Sequence, residues 1–217
     1  MNEPGGLARF APLTGVVFVV LALASAIVEG SDQPDDFPGT AREIVTYYTE
    51  QSDNILIGSY IGILGMFFLV WFVGTLRAHL RRSEVLDGRV SGIAFGGGVA
   101  AAALGVGVHA VNLAAAYRAE EDDRINPAQA VTVYDLQSGL FIGFAYMLAV
   151  LAAATAVVVL RNGALPRWIG FLSMVFAVGL IVPFGNWLFV IASPIWFVAV
   201  AVVMYLRPAE RTPAATA

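Results

Sequence analysis

Cysteine and lysine are both absent from this sequence of 217 residues, and histidine occurs only twice. The absence of cysteine excludes disulfides, thiolate nucleophiles and cysteine-ligated metal or iron–sulfur centres. Charged residues of both signs together make up only 13% of the chain. That is too little charge to cover the surface of a water-soluble globule of this size. The composition therefore excludes a soluble protein and indicates a lipid environment.

Apolar residues make up 59% of the chain and give it a mean hydropathy of +0.77. They form six continuous runs, and a bilayer core about 30 Å thick needs about 20 helical residues to cross it. The runs do not alternate apolar and polar positions as the strands of a membrane barrel would. We therefore predict an all-α polytopic membrane helical bundle, a single transmembrane domain over residues 1–217. Its six transmembrane helices are predicted at residues 10–28, 55–76, 90–117, 136–160, 168–182 and 188–206.

The first run also has features of a secretory signal peptide, because Arg9 precedes it and Ala24-Ser25-Ala26 resembles a cleavage site. Its apolar stretch of about 19 residues is longer than a signal core of roughly 7 to 15 residues. We therefore expect this run to be retained as the first transmembrane helix.

The arginines fall at alternate ends of the six runs, and positive residues are retained on the cytoplasmic side of a membrane. With the N-terminus inside, the inner segments carry Arg9, Arg77, Arg81, Arg82, Arg89, Arg161, Arg167, Arg207 and Arg211, and the outer segments carry only Arg42, Arg118 and Arg124. We therefore predict that both termini are cytoplasmic. Most carboxylates fall on the outer side, and an acidic outer face attracts cations and repels nucleic acid. No nucleic-acid partner is expected.

Two short capped amphipathic helices are predicted on the outer side. In the first, Thr40 and Glu43 have the spacing of a capping box, in which each side chain satisfies the other residue's amide. Ile44, Tyr47 and Tyr48 follow at helical spacing and form one apolar face. We expect this face to lie on the outer lipid headgroups.

The second capped helix should begin at Pro127, because Asn126 is a favourable N-cap and proline suits the first helical position. A helix from there to residue 160 would be about 51 Å long, which exceeds the thickness of the hydrocarbon core. We therefore expect it to start outside the membrane and to continue into the fourth span.

Three pairs of glycines have the G-x-x-x-G spacing that lets membrane helices approach closely. The pairs are Gly58 and Gly62, Gly92 and Gly96, and Gly139 and Gly143. Close approach of helices within the bundle is the favoured interpretation. The alternative is a homo-oligomer, or a membrane-protein partner, held through these glycine faces. Further glycines in the third run predict that this helix is central and surrounded by the others.

His109 is the most informative single residue, because an imidazole inside a span must pair or line a cavity. Asn112 lies three residues further on, on the same helix face. The predicted topology brings other polar residues to a similar depth, namely Glu29, Asp53, Asn54, Asp135, Gln137 and Asn186. Together they predict an outward-opening ligand-binding pocket with His109 at its floor, suited to a cation, a proton or a small polar ligand. The alternative is that His109 and Asn112 only join helices through hydrogen bonds.

Signals for an enzyme are poor, and neither a cofactor nor a metal is predicted. The two histidines, His79 and His109, fall toward opposite ends of the bundle and cannot share one metal or haem. A zinc site of His109, Asp53 and Asp135 is conceivable, although catalytic zinc usually has more imidazole ligands. A serine such as Ser59 paired with His109 would need a nucleophile turn, and the G-x-S-x-G motif is absent.

Two segments carry a resemblance to a known group of proteins. They are LRAHLRR at residues 76–82, which ends the second run, and ALPRWIGFL at residues 164–172, which opens the fifth. With its long loop between the first two spans, the chain resembles six-pass bacterial integral membrane proteins that are catalogued as a domain of unknown function. The resemblance covers most of the chain and implies a multi-pass protein of the bacterial cytoplasmic (plasma) membrane. It implies no activity.

Two functions are compatible with these patterns. The first is binding or translocation of a small polar ligand, a cation or a proton through the outward-facing pocket. The second is a non-catalytic accessory or structural subunit of a larger membrane complex, docked through its glycine faces. An enclosed polar route would favour the first function, and a contiguous small-residue or aromatic stripe facing lipid would favour the second.

Overall fold

The computed structural model of the protein describes residues 9–30, 39–84, 87–121, 125–183 and 185–207. Within these ranges the chain is helical and contains no strand. A 3-10 turn, Ala11–Leu13, leads into the first helix. The α-helices are α1 (Thr14–Glu29), α2 (Ala41–Glu50), α3 (Ser52–Arg81), α4 (Arg89–Glu121), α5 (Pro127–Asn162), α6 (Arg167–Ile181) and α7 (Asn186–Leu206).

Five of these helices are long and apolar enough to cross a membrane, namely α1 with its preceding turn, α3, α4, α5 and α7. Helix α6 is equally apolar but has only 15 residues. It is short because Pro166 and Pro183 flank it, and proline cannot continue a helix. The predicted all-α polytopic bundle is therefore confirmed for the described residues. The chain is an integral membrane protein with several apolar helices.

Helix α4 lies at the centre, between α3 and α5. A Cβ added at Gly98 would meet the side chain of Val73 in α3. One added at Gly97 would meet backbone atoms of Met147 and Leu151 in α5. Small residues allow helices to come this close in lipid, so the central position predicted for the third run is confirmed. The helix is not surrounded, because a Cβ added at Gly92 or Gly96 would meet nothing within 4 Å. Helix α1 contacts α3, α6 contacts α5, and α7 contacts α6 and α1.

Helix α2 begins with the predicted capping box. The Thr40 hydroxyl accepts a hydrogen bond from the Glu43 amide at 3.3 Å, and the Thr40 amide donates to the Glu43 carboxylate at 2.9 Å. The hydrogen bonds from Thr40 lower the pKa of Glu43, because they stabilise its charged form. The start of α2 is therefore fixed by the two residues that predicted it.

The apolar face of α2 differs from the expectation, because it covers protein and not lipid headgroups. Ile44, Tyr47 and Tyr48 are buried against Tyr134 of α5 and against alanines of α4. The alanines leave room for the aromatic rings at this end of the bundle. Only Gln51 separates α2 from α3, and this short connection keeps the helix close to the bundle. The spacing of apolar residues identifies the face but not the surface that it covers.

The second capped outer helix is continuous with the fourth span, as predicted, and is not a separate short element. Oδ1 of Asn126 accepts a hydrogen bond from the amide of Ala128 at 2.9 Å, and Pro127 occupies the first turn as predicted. The helix then continues without interruption for 36 residues. No proline follows Pro127 until after the helix ends, so nothing divides its first turns from the fourth span. The structure thus has one short capped helix, α2, and one capped extension of α5.

The two ends of the bundle carry opposite charge. We call the end that carries α2 the acidic end, and its exposed carboxylates are Glu43, Glu50, Asp53, Glu120, Glu121 and Asp135. We call the opposite end the basic end, and it carries Arg77, Arg81, Arg82, Arg89, Arg161 and Arg167. At the basic end the carboxylate of Glu84 accepts hydrogen bonds from the amides of Val90 at 2.7 Å and Ser91 at 3.0 Å. Glu84 therefore caps the start of α4 from the preceding loop.

Candidate functional site

A pair of buried ionisable side chains joins α1 to α4 in the half of the bundle nearer the acidic end. Nδ1 of His109 lies 3.5 Å from Oε1 of Glu29, and the two side chains are 14% and 10% exposed. Glu29 is the last residue of α1, and His109 lies past the middle of α4. Ionisable groups are rarely removed from water inside a membrane protein unless they pair or serve a function. The pair is therefore the chemical centre of the candidate site.

Gly58 and Gly62 of α3 form the surface on which this pair lies. A Cβ added at Gly58 would overlap Cγ of Glu29, and a Cβ added at Gly62 would overlap Cε1 and Nε2 of His109. The two glycines are one turn apart on one helix face, so the carboxylate and the imidazole lie side by side on a surface without side chains. Close approach at this glycine pair is confirmed, and the groups that approach it are polar.

Ser25 and the end of α1 position the carboxylate. The Ser25 hydroxyl donates to the carbonyl of Gly58 at 2.8 Å and also reaches Oε1 of Glu29 at 3.4 Å. The last turn of α1 contains no basic residue, and the helix dipole is negative there. Gly30 leaves the helix with φ of 78°, a left-handed conformation that glycine adopts without strain. The carboxylate is therefore placed where a proton or another positive charge would stabilise it.

Asn112 lies one turn from His109 toward the acidic end and joins α4 to α2. The Tyr48 hydroxyl donates to Oδ1 of Asn112 at 3.2 Å, and both residues are buried. Burial raises the pKa of Tyr48, and neighbouring tyrosines and Glu29 raise it further. The hydroxyl therefore stays protonated and continues to donate at physiological pH. This hydrogen bond holds α2 over the end of α4.

Three other predicted site residues lie at the surface of the acidic end. Asp53, Asn54 and Asp135 are exposed. The side-chain amide of Asn54 donates to Oε1 of Gln51 at 2.8 Å. Among the described residues, no hydrogen bond extends from Glu29 or His109 to these three side chains. They share an end of the bundle with the pair but not its contacts.

The last two predicted site residues, Gln137 and Asn186, are half-buried on α5 and α7. Oε1 of Gln137 is buried and has no hydrogen-bond partner in the described part of the chain. Within the same ranges, neither residue is hydrogen-bonded to Glu29 or His109. Of the predicted residues, the structure thus brings Glu29 and His109 into contact, links Asn112 to α2, and leaves the others apart.

Sequence reasoning missed Ser25 and Tyr48 as members of the site. Ser25 precedes Glu29 by four residues, a spacing that puts both on one helix face, so a signal for it exists in the sequence. Tyr48 has no such signal, because its partner Asn112 is 64 residues away in the chain. The glycine spacing likewise cannot reveal which side chains will fill the space beside Gly58 and Gly62.

The two ionisable groups of this site are the carboxylate of Glu29 and the imidazole of His109. No group of three or more His, Asp or Glu side chains that could hold a metal occurs among the residues that the structure describes. Nδ1 of His109 faces Glu29, and the opposite edge of the ring with Nε2 faces Gly62. An imidazole can accept a proton at one nitrogen and release one from the other. The arrangement is therefore suited to holding and passing a proton.

Comparison with known proteins found no family model, no curated protein and no solved structure that matches this chain. The site is therefore interpreted from its own geometry and chemistry. The resemblance to six-pass bacterial membrane proteins stays a prediction.

Proposed function

We propose that this integral membrane protein binds a proton, or a small cation in its place, at the Glu29–His109 pair. The ligand is taken up from the outer side of the bacterial cytoplasmic membrane. The observation that supports this proposal most strongly is the pair itself, at 3.5 Å and nearly removed from solvent. Intramembrane ionisable residues commonly mark proton relays or ion pathways. The proposal narrows the predicted pocket from eight candidate residues to a pair with identified neighbours.

The chemistry of the pair favours a proton over a larger ligand. Histidine is the side chain whose unperturbed pKa lies closest to physiological pH. Glu29 supplies a single carboxylate, fewer oxygens than a calcium or magnesium ion requires. The negative end of the α1 dipole adds to the attraction for positive charge at that carboxylate.

The charge of the acidic end supports entry from that side. The exposed carboxylates at this end raise the local concentration of cations within about a Debye length of the surface. The basic end would oppose the approach of a positive ligand. Because the predicted orientation places the acidic end outside, we assign proton uptake to the outer face.

A pH-jump experiment tests the proposal. The purified protein, reconstituted in liposomes, is acidified from the outside, and the protons bound per molecule are counted with an indicator dye. We expect the wild type to bind about one proton more than Glu29→Gln, since the pair holds one shared site. The matched control is Glu43→Gln, which removes an exposed carboxylate near the same end. Equal uptake by the wild type and Glu29→Gln would contradict the proposal.

A second candidate function, the accessory subunit, is favoured by one observation on α4. Its exposed face carries small residues at several positions, including Gly96, Ala103, Ala110 and Ala114, between the larger Ile93, Val106 and Tyr117. A Cβ added at Gly92 or Gly96 would meet nothing within 4 Å. The exposed face of α3 is different and carries Tyr60, Phe67 and Trp71. A stripe facing lipid that is rich in small residues is the kind of surface that binds another membrane helix.

The accessory function is tested by the oligomeric state of the protein in native membranes. Ala103→Leu would add a large side chain to the stripe and would leave Glu29 and His109 unchanged. If the stripe binds a second copy or a partner helix, this variant should lose a companion that co-purifies with the wild type in mild detergent. Recovery of the wild type as a lone monomer would contradict the accessory function and leave the proton site unaffected.

A further inference from the structure

Ser59 of α3 is fully buried, and its hydroxyl has no hydrogen-bond partner among the described residues. Two other serines of the bundle donate to the carbonyl four residues earlier. Ser138 donates to Tyr134 at 2.9 Å, and Ser173 donates to Ile169 at 2.7 Å. A buried hydroxyl that lacks this local bond needs another partner, because buried polar groups are almost always hydrogen-bonded. The Ser59 hydroxyl therefore points to a bound polar molecule.

The contacts between α3 and α4 show what lies opposite Ser59. Gly62 meets the ring of His109, and two further close approaches nearer the basic end keep the same antiparallel register. One turn toward the acidic end from Gly62 leads to Ser59, and one turn from His109 leads to Asn112. Asn112 is 1% exposed, so both side chains are polar and shielded from solvent and lipid.

We propose that Ser59 and Asn112 hold a water molecule between α3 and α4, and that this water carries protons from the acidic end to His109. The inference rests on the proposed proton binding by the Glu29–His109 pair and adds the route of entry. A buried water typically makes about three hydrogen bonds. The Ser59 hydroxyl, the Asn112 amide and the His109 imidazole can supply them.

The position of the imidazole suits this route. Its Nε2 edge lies over Gly62, on the face of α3 that also carries Ser59 one turn away. Its Nδ1 faces the carboxylate of Glu29. The ring therefore turns Nδ1 toward the carboxylate and lays its Nε2 edge on the helix face that carries Ser59.

The proton transfer needs no further reactant. An excess proton on the water forms a bond to Nε2 of His109, while the bond between Nδ1 and its proton breaks and that proton binds the carboxylate of Glu29. The water returns to its neutral form. The imidazole stays neutral with its proton moved from Nδ1 to Nε2, and Glu29 becomes a neutral acid. Ser59 acts as a positioning residue for the water.

The first test compares the rate and the extent of proton uptake after a pH jump in the wild type, Ser59→Ala and Ser138→Ala. Ser138→Ala is the matched control, because it removes a hydroxyl whose partner lies in its own helix. We expect Ser59→Ala to bind as many protons as the wild type, but at least about tenfold more slowly. Ser138→Ala should bind them at the wild-type rate.

Equal rates in the wild type and Ser59→Ala would overturn the water route and leave the proton site in place. Absence of Glu29-dependent uptake in the wild type would overturn the proposed function instead. A second measurement uses the wild type alone and therefore does not depend on whether a variant folds. In water-edited solid-state NMR of the wild type in bilayers, we expect magnetisation to pass from water to Ser59 faster than to Ser173, whose hydroxyl has protein partners. Equally slow transfer to both serines would overturn the water site.

Discussion

Two glycine pairs on neighbouring helices have the same spacing but opposite surroundings. The space beside Gly58 and Gly62 of α3 is filled by the side chains of Glu29 and His109. The space beside Gly92 and Gly96 of α4 is open, with nothing within 4 Å of an added Cβ. The spacing therefore specifies a smooth helix surface and nothing more. The helices that approach it decide whether it holds polar groups or faces lipid.

The third pair, on α5, lies between these extremes. A Cβ added at Gly143 would meet Leu104 at 3.2 Å, whereas one at Gly139 would meet nothing within 4 Å. One motif thus occurs in a filled, an open and a mixed form. Substitutions at matched positions should separate the filled form from the open form by their effects on stability.

The largest difference in stability is expected when leucine replaces a glycine of the filled pair and, separately, a glycine of the open pair. Gly62→Leu would place a branched side chain in the volume of the His109 ring, and overpacking on this scale should lower the free energy of unfolding by about 3 kcal/mol or more. Gly96→Leu, the matched control, adds the same side chain to an open face and should change stability by less than about 0.5 kcal/mol. Thermal unfolding in detergent measures both. Similar losses of stability in the two variants would contradict the difference between the filled and the open glycine pair.

The next largest effect on stability is expected at Glu29 and His109, the two side chains that pack on Gly58 and Gly62. His109→Ala leaves the Glu29 carboxylate buried without its partner and should reduce stability by about 3 kcal/mol. The double variant Glu29→Ala/His109→Ala should lose less than the sum of the two single variants, with a coupling of about 1 to 3 kcal/mol. A complete double-mutant cycle measures this term by thermal unfolding. Strict additivity would mean that the two side chains do not interact.

A smaller effect is expected at the hydrogen bond that holds α2 over the site. Tyr48→Phe removes the donor to the buried Asn112 and should cost about 1 to 2 kcal/mol. Tyr146→Phe is the control, because its hydroxyl is exposed and makes a longer bond to the Ile181 carbonyl at 3.3 Å. Hydrogen exchange of the α2 amides should quicken in the first variant only. Unchanged exchange in Tyr48→Phe would show that α2 is held by its apolar face alone.

The smallest effect on stability is expected for Glu84 at the basic end. Unlike Glu29, this carboxylate does not pack on a glycine. Its partial burial acts to raise its pKa, but hydrogen bonds from Ser91 and Val90 and the nearby Arg81 outweigh it and lower the pKa overall. The stabilisation is therefore present above the ordinary pKa of a glutamate and is lost as the pH falls through the lowered value. Solvent screens the charge of this half-exposed carboxylate, so Glu84→Gln should reduce stability by at most about 1 kcal/mol at pH 7.

Unfolding of the wild type and Glu84→Gln, measured over a range of pH, checks this prediction. The difference between them should shrink in acid, because the protonated wild-type side chain no longer accepts both amide hydrogen bonds. A difference that stays constant down to low pH would show that the charge of Glu84 does not contribute to the cap.

Hydropathy and capping chemistry were sufficient to predict most of the fold. The apolar runs, the box of Thr40 and Glu43 and the cap at Asn126 are local signals, and each lies where the structure has a helix or a helix start. The surface covered by α2 is not a local property. It depends on the alanines of α4, which follow more than sixty residues later in the chain.

The sequence predicts how far along the bundle each candidate residue lies. It does not predict whether the side chain faces the interior or the surface. Glu29, His109, Asp53 and Asp135 all fall toward one end of the bundle, and the Arg pattern reveals this. Whether a side chain points inward depends on how the helices are rotated and paired. For that reason the sequence groups buried Glu29 with exposed Asp53 and Asp135, and it gives no sign that Ser59 lies opposite Asn112.

The most direct test uses the fact that the chain has only two histidines. Nitrogen-15 NMR of histidine-labelled protein in bilayers reports which ring nitrogen of each carries a proton, and His79→Asn assigns the two sets of signals. If Glu29 and His109 form the proposed proton site, Glu29→Gln should change the tautomer or protonation of His109 and leave His79 unchanged. Identical His109 spectra in the wild type and Glu29→Gln at every pH would contradict it.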